Sequence, residues 1–357
     1  MPAPQLQPIV IWFGRVGDMI MLTALLDILH RRFGRACWVI GAGAWSQEIY
    51  EEQADVAETF WLHRYTPFAL DLRWWRTVLS LRRHRHDPVY VCETDARKLA
   101  SIHRLLRWAG LDRKRCVFLS DEPSAMAQAH WVDRLVSIGR LTPQTLRESD
   151  YPWPAPPPRC APKLTLSQRA RSAGDDWERR RDVGDRPLVL LQPGNRRTMR
   201  GRSLRIKDSD DRFWPVDRWA RLIHCIHERL PEARIVLCGA PREALLLDWI
   251  ASAAALPDVV LRGLPFPGLF ALCARAHSVI SIDTGTAHAA AALGAPLVVL
   301  FGSTPPAQVT PRSPCSSPVI GVGGAPLLNR VDQLSVEAVF EAWSALRVKP
   351  TAASTAL

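Results

Sequence analysis

One stretch of the chain gathers side chains suited to holding an anion. In SVISIDTGTAHAAAALG, residues 278–294, the residues Asp283, Thr284, Gly285, Thr286 and His288 stand between two apolar runs. The flanks predict a strand over Ser278 to Asp283 and a helix over Ala287 to Leu293, so 284–286 fall at a helix N-terminus. First-turn amides there lack intrahelical partners and carry the positive end of the helix dipole. Gly285 lets an anion approach the backbone, the threonine hydroxyls add donors, and His288 stands one turn in. An ordinary capped helix with glycine in a tight turn would carry the same letters. A second polar stop, FGSTPP over 301–306, follows the next predicted strand and brings Thr304 to the same sheet edge. Near the start of the chain, Asp18 closes the loop GRVGD (14–18) where a helix begins. A carboxylate in that place can take the proton of an attacking hydroxyl, or can simply cap the helix. The loop does not read G-x-G-x-x-G, so it is not a dinucleotide fingerprint.

These residues need a frame, and the chain predicts one. Short apolar runs at 9–13, 37–43, 88–93 and 116–120 alternate with helical patterns at 19–33 and 97–109. The proline-dense YPWPAPPPRCAP, 151–162, excludes a central strand or helix interior. A charged helical segment runs from Ser167 to Arg181, and the alternation restarts at PLVLLQPG, 187–194. Strands at 234–239 and 259–263 and helices at 213–230, 241–256, 267–276 and 331–346 complete it. Continuous apolar strands between helices imply parallel sheets covered on both faces. The expectation is an α/β chain of two Rossmann-like domains, 1–150 and 187–347, with a linker region at 151–186 and a flexible tail at 348–357. The last helix is able to pack back on the N-terminal domain. Parallel sheets facing a central cleft would turn every polar loop above toward it, because ligands bind outside the carboxyl ends of such strands.

Composition bounds the partners. The 357 residues hold 46 Lys and Arg against 35 Asp and Glu, a net charge of +11. That balance suits an anionic partner, and a solubilising Arg-rich surface equally. A nucleic-acid binder ranks low, since no basic motif is interleaved with aromatics. Eight cysteines, none in a C-x-x-C pair and several inside apolar runs, read as reduced residues of a cytosolic protein. No basic segment precedes the first apolar run, so no signal peptide is expected, and no run approaches the ~18 residues of a spanning helix.

The long pattern Asp-Thr-Gly-x-x-His-x-Ala-Ala-Ala-Leu-Gly-x-Pro-x-Val-x-Leu-Phe-Gly-x-Thr-x-Pro, residues 283–306, resembles glycosyltransferase family 9, the lipopolysaccharide heptosyltransferases of GT-B fold. The resemblance extends over most of the chain. It places Asp283, Thr284, Gly285, His288 and Thr304 around the donor diphosphate and sugar, and Thr286, read from the helix N-terminus, stands beside them. The segment from Ile9 resembles the family's first strand, loop and helix, with Gly17-Asp18 in place of its Gly-Asp; this implies Asp18 as general base and Gly17 on the acceptor side. The family's Lys two residues before Trp-Pro is Arg212 here, and Lys207 is a nearby second cation. Arginine keeps the charge but changes the geometry. LCGAPRE, 237–243, resembles a Gly-Gly-x-x-Glu loop that holds the ribose, which implies Gly239 and Glu243, with Ala240 replacing the second glycine. ETDARK and HWVDRL occupy acceptor positions and imply Arg97, Lys98, His130 and Arg134, each of which also reads as a surface or helix-face residue. The insertion RRTMRGRSLRIK is longer than the resemblance implies and reads either as a basic lid or as a solvated loop.

The resemblance implies an inverting transfer of heptose, or a related sugar, from a nucleotide-diphosphate donor, ADP-heptose foremost, to a lipid-linked and phosphorylated saccharide acceptor. Helix dipole and cations meet the leaving charge, so no metal is required, with Mg²⁺ left open. The protein would be cytoplasmic and would dock on the anionic inner face of the plasma membrane. The alternatives are another nucleotide-sugar donor on the same fold, or a catalytically weak relative that binds nucleotide or glycan.

Overall fold

The computed structural model of the protein describes residues 5–62, 71–155, 160–200, 203–204, 210–256 and 259–346. Lys207, much of the Arg-rich insertion and the 348–357 tail lie outside these residues. The chain divides into two units, Met1–Thr165 and Leu166–Leu357.

In the N-terminal unit the elements run β1 (Ile9–Ile11), α1 (Val16–Met21), α2 (Thr23–Phe33), β2 (Cys37–Ala42), α3 (Trp45–Tyr50), β3 (Val56–Leu62), α4 (Leu72–Arg83), β4 (Val89–Val91), α5 (Ala96–Ala109), β5 (Cys116–Phe118) and α6 (Trp131–Arg140). The strands pair in the order β3-β2-β1-β4-β5, all parallel. Every residue of β1 is buried, as expected of a strand covered on both faces. From β1 the chain goes to β2 on one side, and β4 lies on the other, so the loops after β1 and β4 open at a topological switch point. One layer is α4 with α5: Trp74, Val78 and Leu81 meet Ile102, Leu105 and Leu106 over β1 and β4. The apolar-run reading passes over β3 and α4. β3 is an edge strand interrupted by Glu58 and Thr59, and α4 carries four arginines along its length.

The C-terminal unit runs α7 (Gln168–Arg181), β6 (Leu188–Gln192), β7 (Met199–Arg200), β8 (Ser203–Leu204), α8 (Val216–Arg229), β9 (Arg234–Gly239), α9 (Ala244–Ala254), β10 (Val259–Arg262), α10 (Phe266–Arg275), β11 (Ser278–Ile282), α11 (Gly285–Ala292), β12 (Leu297–Phe301), α12 (Pro306–Val309), β13 (Val319–Gly323) and α13 (Val336–Ser344). Six strands pair in parallel in the order β10-β9-β6-β11-β12-β13, and β7 and β8 form a small antiparallel pair. Here β6 lies at the switch point, flanked by β9 and β11.

Two elements sit differently from the expected division. α7, placed by sequence in the linker region, packs on α10: a Cβ on Gly174 would lie 2.6 Å from that of Ala271, and Arg275 pairs with Glu178 at 2.9 Å. α13, free by sequence to return to the N-terminal domain, buries Val336, Val339 and Trp343 in the core of its own unit with Trp214 and Trp219. Its Trp343 Nε1 donates to Ser278 Oγ at 2.8 Å. No disulfide joins any of the eight cysteines. Among the described residues no helix is long and apolar enough to cross a membrane.

Candidate functional site

The polar loops of the C-terminal unit meet at the carboxyl edge of its sheet. Thr284 is the N-cap of α11, with extended backbone, yet its side chain does not cap the helix. The hydroxyl shares a 3.1 Å hydrogen bond with Ser281 Oγ instead. The first-turn amides of α11 are thus left without a side-chain cap, the arrangement that favours an anion over a self-satisfied helix end. His288 is buried one turn further in.

Arg212 reaches this helix end from the loop before α8. One guanidinium nitrogen donates to the Asp283 carbonyl oxygen at 2.6 Å. The other lies 3.0 Å from Asp283 Oδ2 and donates to Thr304 Oγ1 at 3.2 Å. The cation predicted from sequence is therefore bound to two residues of the predicted loops, and its planar fork spans both, which an ammonium would not. The Arg212 loop is fixed from below. Asp210, fully buried, accepts from Asn195 Nδ2, Thr198 Oγ1 and the Arg212 amide. The Asp211 carboxylate accepts from the amide and hydroxyl of Ser303 at 3.0 and 2.5 Å. Burial works against its charge, but the two Ser303 bonds prevail and hold it below the usual carboxylate range. A Cβ on Gly302 would strike the carbonyl oxygen of Asp211, so this close approach needs glycine.

A second chain of contacts joins α11 to β6 and β9. Thr286 Oγ1 donates to Gln192 Oε1 at 3.3 Å, and Gln192 Nε2 lies 3.5 Å from Glu243 Oε2. The same Glu243 oxygen accepts from the Ala240 amide at 2.9 Å. Glu243 is nearly fully buried, and burial pushes its carboxyl above the usual range. Gly239 and Gly194 make room for it: a Cβ would sit 3.0 Å from Glu243 Oε2 in the first case and 3.1 Å from its Cδ in the second. Gln192, at the end of the predicted strand, joins the two loops; the polar letter closing an apolar run was its only signal.

In the N-terminal unit Asp18 lies in the first turn of α1, not in the preceding loop, and its Oδ2 accepts from the Arg15 amide at 2.6 Å. It does cap the helix. It is also half-buried, and burial raises its pKa; Glu93 raises it further, while the Arg15 amide and charge and Lys98 oppose. A Cβ on Gly14 would lie 2.7 Å from that of Asp18. Gly17 sits beside Asp18 in the same turn. The loop after β4 supplies a buried Glu93, which sequence reasoning did not single out. Its Oε1 accepts from the amides of Thr94 and Asp95 at 3.1 and 3.0 Å, and Lys98 Nζ lies 3.3 Å from Oε2. Lys98 is thus ion-paired, and Arg97 beside it is exposed. His130 is the N-cap of α6, accepting from the Val132 amide at 3.1 Å through Nδ1. Arg134 is bound to Glu122 and lies over the Trp131 ring at 4.4 Å. Trp131 in turn stacks on Trp12, at 6.1 Å between centroids, in the loop that leads to Asp18.

Among the described residues no group of three or more His, Cys, Asp or Glu could hold a metal ion. What the two edges offer is a carboxylate with raised pKa in one unit and a cation beside an uncapped helix N-terminus in the other.

Comparison with known proteins gives the family and the fold. The model of glycosyltransferase family 9 (heptosyltransferase) matches residues 75–327. Over 101 residues the chain is 33% identical to lipopolysaccharide heptosyltransferase 1 of Escherichia coli K12, covering 28% of this chain and 31% of that relative, so it matches about a third of the relative's length. Among solved structures, a family 9 glycosyl transferase from Veillonella parvula superposes with a TM-score of 0.72 at 14% identity, covering 96% of this chain and 98% of the other. The E. coli ADP-heptose lipopolysaccharide heptosyltransferase II gives 0.70 at 20% identity, covering 95% and 98%. At such identities the structural likeness is one of fold.

Proposed function

Since the chain belongs to glycosyltransferase family 9, we propose that it is an inverting heptosyltransferase taking its sugar from ADP-heptose and delivering it to a lipopolysaccharide core or similar lipid-linked saccharide. The observation that carries this reading is Arg212 held on Asp283 and Thr304 at the uncapped N-terminus of α11. A departing nucleoside diphosphate gains charge as the anomeric C–O bond breaks. First-turn amides, the helix dipole and a fixed guanidinium are pre-aimed donors for that charge and need no reorganisation. This mechanism requires no metal ion. Glu243, buried below Gly239, holds the ribose, and Thr286 and His288 line the diphosphate and sugar.

The acceptor hydroxyl attacks the anomeric carbon from the face opposite the diphosphate. As that bond forms, the hydroxyl proton passes to the Asp18 carboxylate. Burial makes Asp18 a stronger base than an ordinary aspartate, which suits the role. Gly17, Arg97 and Lys98 with the Arg134–Trp131 wall receive a phosphorylated acceptor. The donor assignment is supported by the names of the relatives, an ADP-heptose enzyme and a lipopolysaccharide heptosyltransferase. The protein acts at the cytoplasmic face of the membrane that carries its acceptor.

The test is transfer from ADP-heptose to heptose-deficient lipopolysaccharide. Wild type should form product with inverted anomeric configuration. Asp18→Asn should lose about 10²–10⁴ in kcat while ADP affinity stays unchanged. An unaltered rate in that variant would remove Asp18 as the base. Transfer from a different nucleotide sugar alone would overturn the donor.

A further inference from the structure

The net charge of the protein is not spread evenly. Residues 72–115 hold twelve Lys and Arg against four Asp and Glu, a net +8 of the chain's +11. These residues span α4, β4, α5 and the turn into β5. The four acids do not face outward from the helices. Asp87 accepts from the Gln7 amide and pairs with His84. Glu93 is buried against Lys98. Asp95 and Asp112 accept backbone amides at helix starts. From outside the segment, Glu58 on the neighbouring β3 lies 4.0 Å from Arg76 in an exposed pair, and Asp121 pairs with Arg113 at 3.2 Å.

The same layer carries the exposed apolar residues. Among the described residues of the N-terminal unit, the large hydrophobic side chains standing in solvent are Leu72 (85% exposed), Leu79 (53%) and Trp108 (40%). On α4 the outward positions are Leu72, Arg76, Leu79 and Arg83, at spacings of four, three and four opposite the core residues Trp74, Val78 and Leu81. On α5 they include Arg104, Arg107 and Trp108. Trp108 packs edge-on against Trp75 of α4 at 5.0 Å, and Arg82 Nε donates to its carbonyl at 3.0 Å, so the two helices present one continuous face.

We infer that this α4–α5 face is a docking surface for an anionic lipid bilayer. Arginines alternating with leucine and tryptophan on one exposed face combine attraction to anionic headgroups with apolar side chains that gain by entering the interface. A nucleic acid would answer the charge but not the leucines. The N-terminus of α5 places Arg97 and Lys98 at the carboxyl edge of the sheet, so the face adjoins the proposed acceptor residues. The inference rests on the lipid-linked acceptor reading for its purpose, but not for its measurement.

The experiment is co-sedimentation of the full chain with phosphatidylglycerol/phosphatidylethanolamine vesicles and with pure phosphatidylcholine vesicles, over a range of salt. Wild type should bind only the anionic vesicles and be released by salt. Replacing Arg76, Arg83, Arg104 and Arg107 together by Gln should weaken partition by two orders of magnitude or more, at about fivefold per arginine. The Leu72→Ser/Leu79→Ser variant should bind at low salt but leave the vesicles at lower salt than wild type. Transfer to a soluble, delipidated acceptor should be unchanged in both variants. Wild-type binding equal in the quadruple variant, or no binding by wild type, would overturn the surface. So would tighter retention on duplex RNA than on anionic vesicles. Vesicle binding without any transfer from ADP-heptose would leave this surface standing and sink the heptosyltransferase reading.

Discussion

Asp18 answers two demands at once. It satisfies the Arg15 amide at the start of α1, and it stays basic because burial and Glu93 outweigh the cations near it. A base must be ionised to work, so under the proposed mechanism the acid limb of kcat/KM should lie above the ordinary aspartate value of about 3.9. Glu93→Gln removes a negative neighbour and unmasks the charge of Lys98; both changes favour ionised Asp18, and the limb should move to lower pH. Lys98→Met should move it the other way. A pH profile that stays put in both variants, with only stability lowered, would reduce the pair to a structural ion pair. The sequence displayed Asp18 because a glycine loop ending in aspartate before a helix is a local pattern. The Glu93–Lys98 pair was hidden, although both letters lie in ETDARK, because a five-residue spacing does not say which side chain turns inward. Arg212 was legible as a cation before Trp-Pro, but its bonds to Asp283 and Thr304 join residues far apart in the chain.

At the scale of elements, the proposed donor site is a contact between loops. α11 supplies amides, the loop after β12 supplies Thr304, and the 210–214 loop brings Arg212 between them. The tightest point is Gly302 against the backbone of Asp211, with Ser303 bonding its carboxylate. Gly302→Ala must push that backbone away, because the clash is with a carbonyl oxygen and not with a flexible side-chain end. The expected result is a stability loss of about 1–3 kcal/mol, the usual cost of overpacking, together with weaker ADP binding as Arg212 shifts; thermal denaturation and calorimetry on one preparation read both. A variant that loses stability but binds ADP as wild type would separate the loop from the donor. The strands flanking this site were legible because parallel strands buried on both faces leave continuous apolar runs: LVLLQ, SVISI and LVVLF need no partner to be recognised. β13, VIGVG, was not legible, since two glycines and partial exposure blur the run. α7 was seen as a helix, but its unit was not, because packing on α10 through Gly174 leaves no local mark.

At the scale of the molecule, each unit is complete in its own core, and each carries one edge where polar loops follow buried strands. The two edges differ in chemistry as the proposed reaction requires: a carboxylate with raised pKa in one, a cation beside an uncapped helix N-terminus in the other. The charge that composition showed only as a total is gathered on one two-helix layer of the N-terminal unit. The central claim is that the C-terminal edge is a donor site for an adenosine diphosphate sugar. Calorimetric titration of the full chain with ADP, UDP, GDP and CDP tests it most directly, with Arg212→Ala alongside. The account predicts selective ADP binding that Arg212→Ala weakens by tenfold or more, about 1.4 kcal/mol. Equal affinity for all four nucleotides, or ADP binding indifferent to Arg212, would contradict it.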